Sequence, residues 1–189
     1  DDGTIVAERE RFLSFCDSLR LESPPAPESS GDPGPAPEAL QPAAPPGSGL
    51  RWSAPESWQQ GAPRPMRAVS FQLGAGAKSE CYVAVLEGTA GGLLSNMTRW
   101  RLQLGLEPIT PEEIELLERI SILGGSEPLL EIYGAFTGMS GESIPEAGLL
   151  GVARTLGEQT VFVKLVGPAS DVDAAKQEFV AFCASLEGL

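Results

Sequence analysis

Cys81-Tyr82-Val83-Ala84-Val85-Leu86-Glu87-Gly88-Thr89-Ala90-Gly91-Gly92-Leu93-Leu94-Ser95-Asn96-Met97-Thr98-Arg99-Trp100-Arg101 is the stretch that decides how this chain folds. Its first six residues are apolar on both alternations, the pattern of a strand covered on both faces and therefore central in a sheet. The glycines of Gly88-Thr-Ala-Gly91-Gly92 then turn the chain into a helix of about 93–104. That helix carries Leu93, Met97, Trp100 and Leu104 at i, i+4, i+7 and i+11, one apolar stripe, and Gly105 is placed to stop it.

Working outward, Val69, Phe71 and Leu73 alternate with Ala68, Ser70 and Gln72, a half-buried strand. Ahead of it, Trp52 to Trp58 reads as a short edge strand and turn, because Pro55 is barred from a central strand. Downstream, Thr110-Pro111-Glu112-Glu113 announces a short second helix: an N-cap, Pro at the first position and a carboxylate at the third. Strands are expected at about 119–123, 128–136, 148–155 and 160–166. A closing helix over 171–187 follows, capped by Ser170 or Asp171. This order predicts an α+β domain over 51–189, a largely antiparallel sheet flanked by helices.

The closing helix has an echo. Phe179, Phe182, Cys183 and Leu186 repeat the spacing of Phe12, Phe15, Cys16 and Leu19 at one offset of 167 residues. Residues 1–20 are therefore read as an isolated helix ending a preceding sister domain, in a chain cut from a longer protein. Residues 21–50, rich in Pro, Ala and Glu and without Lys, Arg or an aromatic, are read as a flexible linker.

Composition narrows the function classes. The net charge is −13, which repels nucleic acid and anionic membrane surfaces. No apolar run approaches the ~20 residues of a membrane span, so no direct insertion by this segment is expected. The chain has no His, and its serines lie outside nucleophile motifs, so no catalytic residue is assigned and a non-enzyme is expected. Cys16, Cys81 and Cys183 form no metal-binding spacing; they are read as buried free thiols, a Cys16–Cys183 bridge requiring the two helices to lie side by side. No metal and no cofactor is expected.

The pattern Trp52-x-x-Pro55-x-x-Trp58, then Met66-Arg67-x-x-x-Phe71, then Gly91-Gly92-x-x-x-Asn96-x-x-Arg99-Trp100-Arg101-x-Gln103-Leu104-Gly105-Leu106 resembles an uncharacterised bacterial envelope family of lipoprotein type. Phe162-x-Lys164-x-x-Gly167 and the closing Phe-x-x-Phe helix complete it. The layout is also similar to the PsbP-like fold. The resemblance implies a periplasmic location, with membrane anchoring through a missing N-terminal region. It also implies a role as a non-catalytic protein-binding or scaffolding domain, an extrinsic subunit of a membrane complex being the kind of assembly such folds serve.

Two candidate sites follow. Arg51, Arg64, Arg67, Arg99 and Arg101 are five of the 13 basic residues of an acidic chain. Arg67, Asn96, Arg99 and Arg101, with Trp52 and Trp58, form the candidate partner-binding surface, because guanidinium forks grip carboxylates. Against it stands a structural reading: Asn96 and an Arg tie the helix to loop carbonyls, and the tryptophans complete the core. The alternative is a small-ligand or anion site at Gly88, Gly91 and Gly92, helped by Arg99 and Arg101. Glu87 beside that turn has the wrong charge for it, and a tight structural turn is the competing explanation.

Overall fold

The computed structural model describes residues 49–138 and 141–188. The expected helix over 4–20 with its Cys16, and the Pro-rich stretch up to residue 48, lie outside the described residues. The elements in chain order are β1 (Gln59–Gln60), β2 (Val69–Leu73), β3 (Ser79–Glu87), α1 (Gly92–Gln103), α2 (Pro111–Glu115) and β4 (Arg119–Ile122). After them come β5 (Gly125–Pro128), β6 (Leu130–Thr137), β7 (Ser143–Leu156), β8 (Gln159–Pro168) and α3 (Ala169–Ser185).

Six strands form one antiparallel sheet in the order β1-β2-β3-β8-β7-β6, and β4 and β5 form a separate hairpin. This is the α+β class that the sequence predicts. β3 lies inside the sheet, between β2 and β8, which accounts for its apolar residues on both faces.

Strand alternation divides the core into two layers. On one face Cys81, Val83, Val161, Val163 and Leu165 pack with Phe71, with Phe179 and Phe182 of α3, and with Ile120 and Ile122 of β4. On the other face Leu149, Ala153 and Phe162 pack with Met97, Trp100 and Leu104. Here Gly151 is required, since a Cβ would come within 2.5 Å of the Trp100 ring. Lys176 clamps α3 to its neighbours, its ammonium 2.7 Å from Glu131 and 3.1 Å from Glu118. Cys81 and Cys183 are free and buried, and burial pushes both thiols up.

Several boundaries differ from expectation for local physical reasons. Residues 52–58 form no edge strand: Trp58 N–H turns back to the Pro55 carbonyl, and the short strand comes after it at 59–60. Leu50 is fully buried and belongs to the domain instead of the linker. The expected strand over 128–136 is two strands of different sheets, parted at Leu129, whose N–H reaches the Glu118 carbonyl. β7 begins at Ser143, ahead of the expected 148, because Ser143 and Ile144 pair with Thr137 and Phe136 of β6 beyond a bulge between Gly134 and Phe136.

Helix ends show one success and one correction. Thr110 forms the expected capping box: its Oγ1 accepts from Glu113 N–H at 3.2 Å, and Glu113 Oε2 accepts from Thr110 N–H at 2.8 Å. Thr110→Ala should cost about 1 kcal/mol in urea denaturation, with no change elsewhere in the fold. α3, however, is capped by neither Ser170 nor Asp171. Pro168 occupies the N-cap without a side-chain bond, and the Asp171 carboxylate accepts from Ser79 Oγ at 3.1 Å.

Candidate functional site

α1 packs over β6 and β7 and reaches Phe162 of β8, while beyond its end Gln72, Glu80 and Tyr82 of β2 and β3 face a cleft. This cleft of about 520 Å³ opens between the end of α1, the β6–β7 hairpin and the loop carrying Arg64 and Arg67. Its floor is Lys164, level with Tyr82 of β3 and, beyond that, Ser70 of β2. Four basic and two acidic side chains line it, a local excess of positive charge in a chain of net charge −13.

Lys164 is 4% exposed, and its ammonium donates to Gln103 Oε1 at 2.6 Å. The Phe136 ring lies 5.3 Å from it, within cation–π range. Among the described residues no carboxylate stands within ion-pair distance of Lys164. Glu80 instead receives Arg67 at 2.8 Å and Arg64 at 3.0 Å. Arg67 is further fixed by a bond to Ser70 Oγ and by stacking 4.1 Å over the Tyr82 ring. Burial, and then the nearby Arg99 and Arg67, lower the Lys164 pKa from 10.5 to about 8; Glu80 opposes them weakly.

The partner-binding candidates do not form one surface. Trp58 is in the α3-side core, tilted against Phe71 and Phe182, its indole N–H on Glu178 at 2.8 Å. Trp52 packs against that same layer, and its buried indole N–H has no acceptor among the described residues. Arg99 and Arg101 ride on α1, across the sheet. Asn96 is 1% exposed and donates to the Ala90 and Gly92 carbonyls at 2.9 and 2.7 Å, while Arg99 donates to its Oδ1. Asn96 thus locks the turn into the helix. Asn96→Ala should cost about 1.5 kcal/mol in urea denaturation, since it removes both side-chain bonds at the helix start and leaves the Ala90 carbonyl without that donor. Arg101 Nε donates to the Glu107 carbonyl at 2.6 Å, at the far end of α1. Arg67 alone of the six lines the cleft.

The Gly88–Gly92 turn is tied internally. Gly88 N–H reaches the Glu158 carbonyl at 2.7 Å, Gly92 N–H reaches Thr89 at 2.8 Å, and the Gly88 carbonyl accepts from Thr160 Oγ1 at 2.7 Å. The depression beside it is larger, about 990 Å³, and more open, but Glu87 and Glu158 are its charged residues. It has the wrong sign for an anion, so volume is a poor guide here and charge the better one.

Sequence reasoning names Lys164 only as part of a motif. The available signal is a single lysine inside Val161-Phe-Val-Lys-Leu-Val166, a run otherwise apolar on both faces.

No family model matches the chain, and no curated protein matches it. Among solved structures, a protein from Bacteroides thetaiotaomicron aligns over 78% of this chain and 47% of its own, at 15% identity and a TM-score of 0.46. The chain therefore spans about half the length of that protein. LpqN of Mycobacterium tuberculosis, described as involved in cell envelope biogenesis, aligns over 76% of this chain and 85% of its own, with 9% identity and a TM-score of 0.42. CyanoP, the cyanobacterial PsbP of Synechocystis sp. PCC 6803, aligns over 80% of this chain and all of its own, with 13% identity and a TM-score of 0.40. At TM-scores below 0.5 these are loose likenesses, and the fold class stands on the sheet order itself. Among the described residues no helix is long and apolar enough to cross a membrane.

Proposed function

We infer that the 51–189 domain is a non-catalytic protein-binding or scaffolding domain of a bacterial envelope protein, an extrinsic subunit docking onto a membrane complex. Its working surface is the side of the sheet that carries α1 and the Lys164 cleft. The observation that carries this reading is a positively lined cleft with a buried ammonium on its floor that has no ion-pair partner among the described residues, in a chain that is otherwise strongly acidic. Buried lysines cost stability unless they are paired, so one kept without a carboxylate marks a place prepared for a partner's charge. Membrane anchoring outside 51–189 and a periplasmic setting belong to the same reading and rest on the sequence resemblance. The Gly88 turn is not favoured as the binding site, because the Gly88 and Gly92 N–H groups already have acceptors and Glu87 and Glu158 give the depression beside it the wrong charge.

Capture of envelope proteins by the full chain, repeated with Arg99→Ala and Arg64→Ala, tests the surface. Both side chains are exposed, so loss of a specific captured band with an unchanged melting temperature is the expected result. Unchanged capture by both variants would remove this face from consideration. Loss accompanied by a lowered melting temperature would make the two arginines structural.

A further inference from the structure

The binding-domain reading leaves the ligand's chemistry open, and the following inference rests on that reading. We propose that the Lys164 cleft is a receptor for a single carboxylate on an apolar body, the carboxylate on the Lys164 ammonium and the body against Phe136, Ile144 and Val166. An ammonium has three N–H donors. Gln103 takes one and the Phe136 face attracts another, which leaves a donor for an incoming acceptor. The acid is limited to one carboxylate by its surroundings: Lys164 keeps a single donor for it, and Arg64 and Arg67 are already held by Glu80. The volume of about 520 Å³ suits a small organic acid or the end of a peptide. Gln103 holds the ammonium in place before the ligand arrives, which limits the ordering cost of binding.

The same carboxylate has two sources, a free acid or the C-terminus of a partner chain. The test is calorimetric titration of the full chain with 3-phenylpropionate, and with a short peptide ending in a free Phe carboxylate. The matching amides and inorganic phosphate serve as controls. At least one carboxylate is expected to bind at least tenfold more tightly than its amide and than phosphate. Whichever binds identifies the source. Lys164→Met should weaken that binding at least tenfold. Gln103→Glu, which supplies a carboxylate to Lys164 from within, should do the same if Lys164→Met fails to fold. Amides or phosphate binding as well as the acids, no binding by either acid, or full binding by the folded variants would overturn the proposal. Envelope capture that depends on Arg99 and Arg64 but survives Lys164→Met would sink this ligand class alone and leave the binding-domain reading standing.

Discussion

Lys164→Met raises the melting temperature at pH 7, by roughly 5–8 °C, and the advantage shrinks as the pH is raised. Holding the ammonium pKa at about 8 instead of 10.5 penalises the charged form by about 3 kcal/mol. Met of similar length removes that penalty and loses the bond to Gln103, worth about 1 kcal/mol, so about 2 kcal/mol of stabilisation remains. The folded pKa lies below the unfolded one, so between pH 8 and 10.5 the unfolded chain binds the extra proton. Wild-type stability therefore rises with pH across that window relative to the variant. Thermal melts of both proteins at pH 7, 8.5 and 10 measure it. A variant less stable than wild type at pH 7 would mean that the lysine is part of the structural core.

Phe182→Ala should destabilise the domain by about 4 kcal/mol in urea denaturation. Phe182 is 1% exposed and holds three parts of the sequence together. Its ring lies 5.2 Å from Trp58 of the opening segment and 5.5 Å, edge-on, from Phe71 of β2, while its own helix closes the chain. Truncation leaves a cavity at that junction, and the neighbouring rings cannot collapse into it without moving α3. A cost below 1 kcal/mol would show that the opening segment is held by something other than this aromatic cluster. The repeated Phe-x-x-Phe-Cys stripe is accordingly a sheet-covering face in its second copy: Phe179, Phe182, Cys183 and Leu186 are all buried.

The fold was legible where a local pattern had one physical solution. Cys81–Leu86 and, Lys164 apart, Val161–Val166 are apolar on both faces, and each lies inside the sheet with a strand on either side. Thr110-Pro-Glu-Glu113 could satisfy its own helix start, and does. Asn96 was legible as an anchor because its acceptors lie within six residues. The site was less legible because it depends on which element leaves which strand uncovered. Lys164 lies on the same sheet face as Phe162, yet Phe162 is under Trp100 while Lys164 faces the cleft. Strand order also decides that Trp52 and Trp58 belong to the α3 side and Arg99 and Arg101 to the α1 side, and no spacing along the chain carries that information. The α3 cap failed for a similar reason: Asp171 has the capping chemistry, but Ser79 of β3 lies beside it in the fold.

The most direct measurement is the NMR titration of the Lys164 side chain in lysine-labelled full chain, with and without 3-phenylpropionate or the Phe-terminated peptide, the signal being assigned by its loss in Lys164→Met. A midpoint near 8 is expected in the free protein, moving upward toward the ordinary lysine value of 10.5 when the carboxylate binds. A midpoint already at the ordinary value, unmoved by either acid, would contradict the proposal.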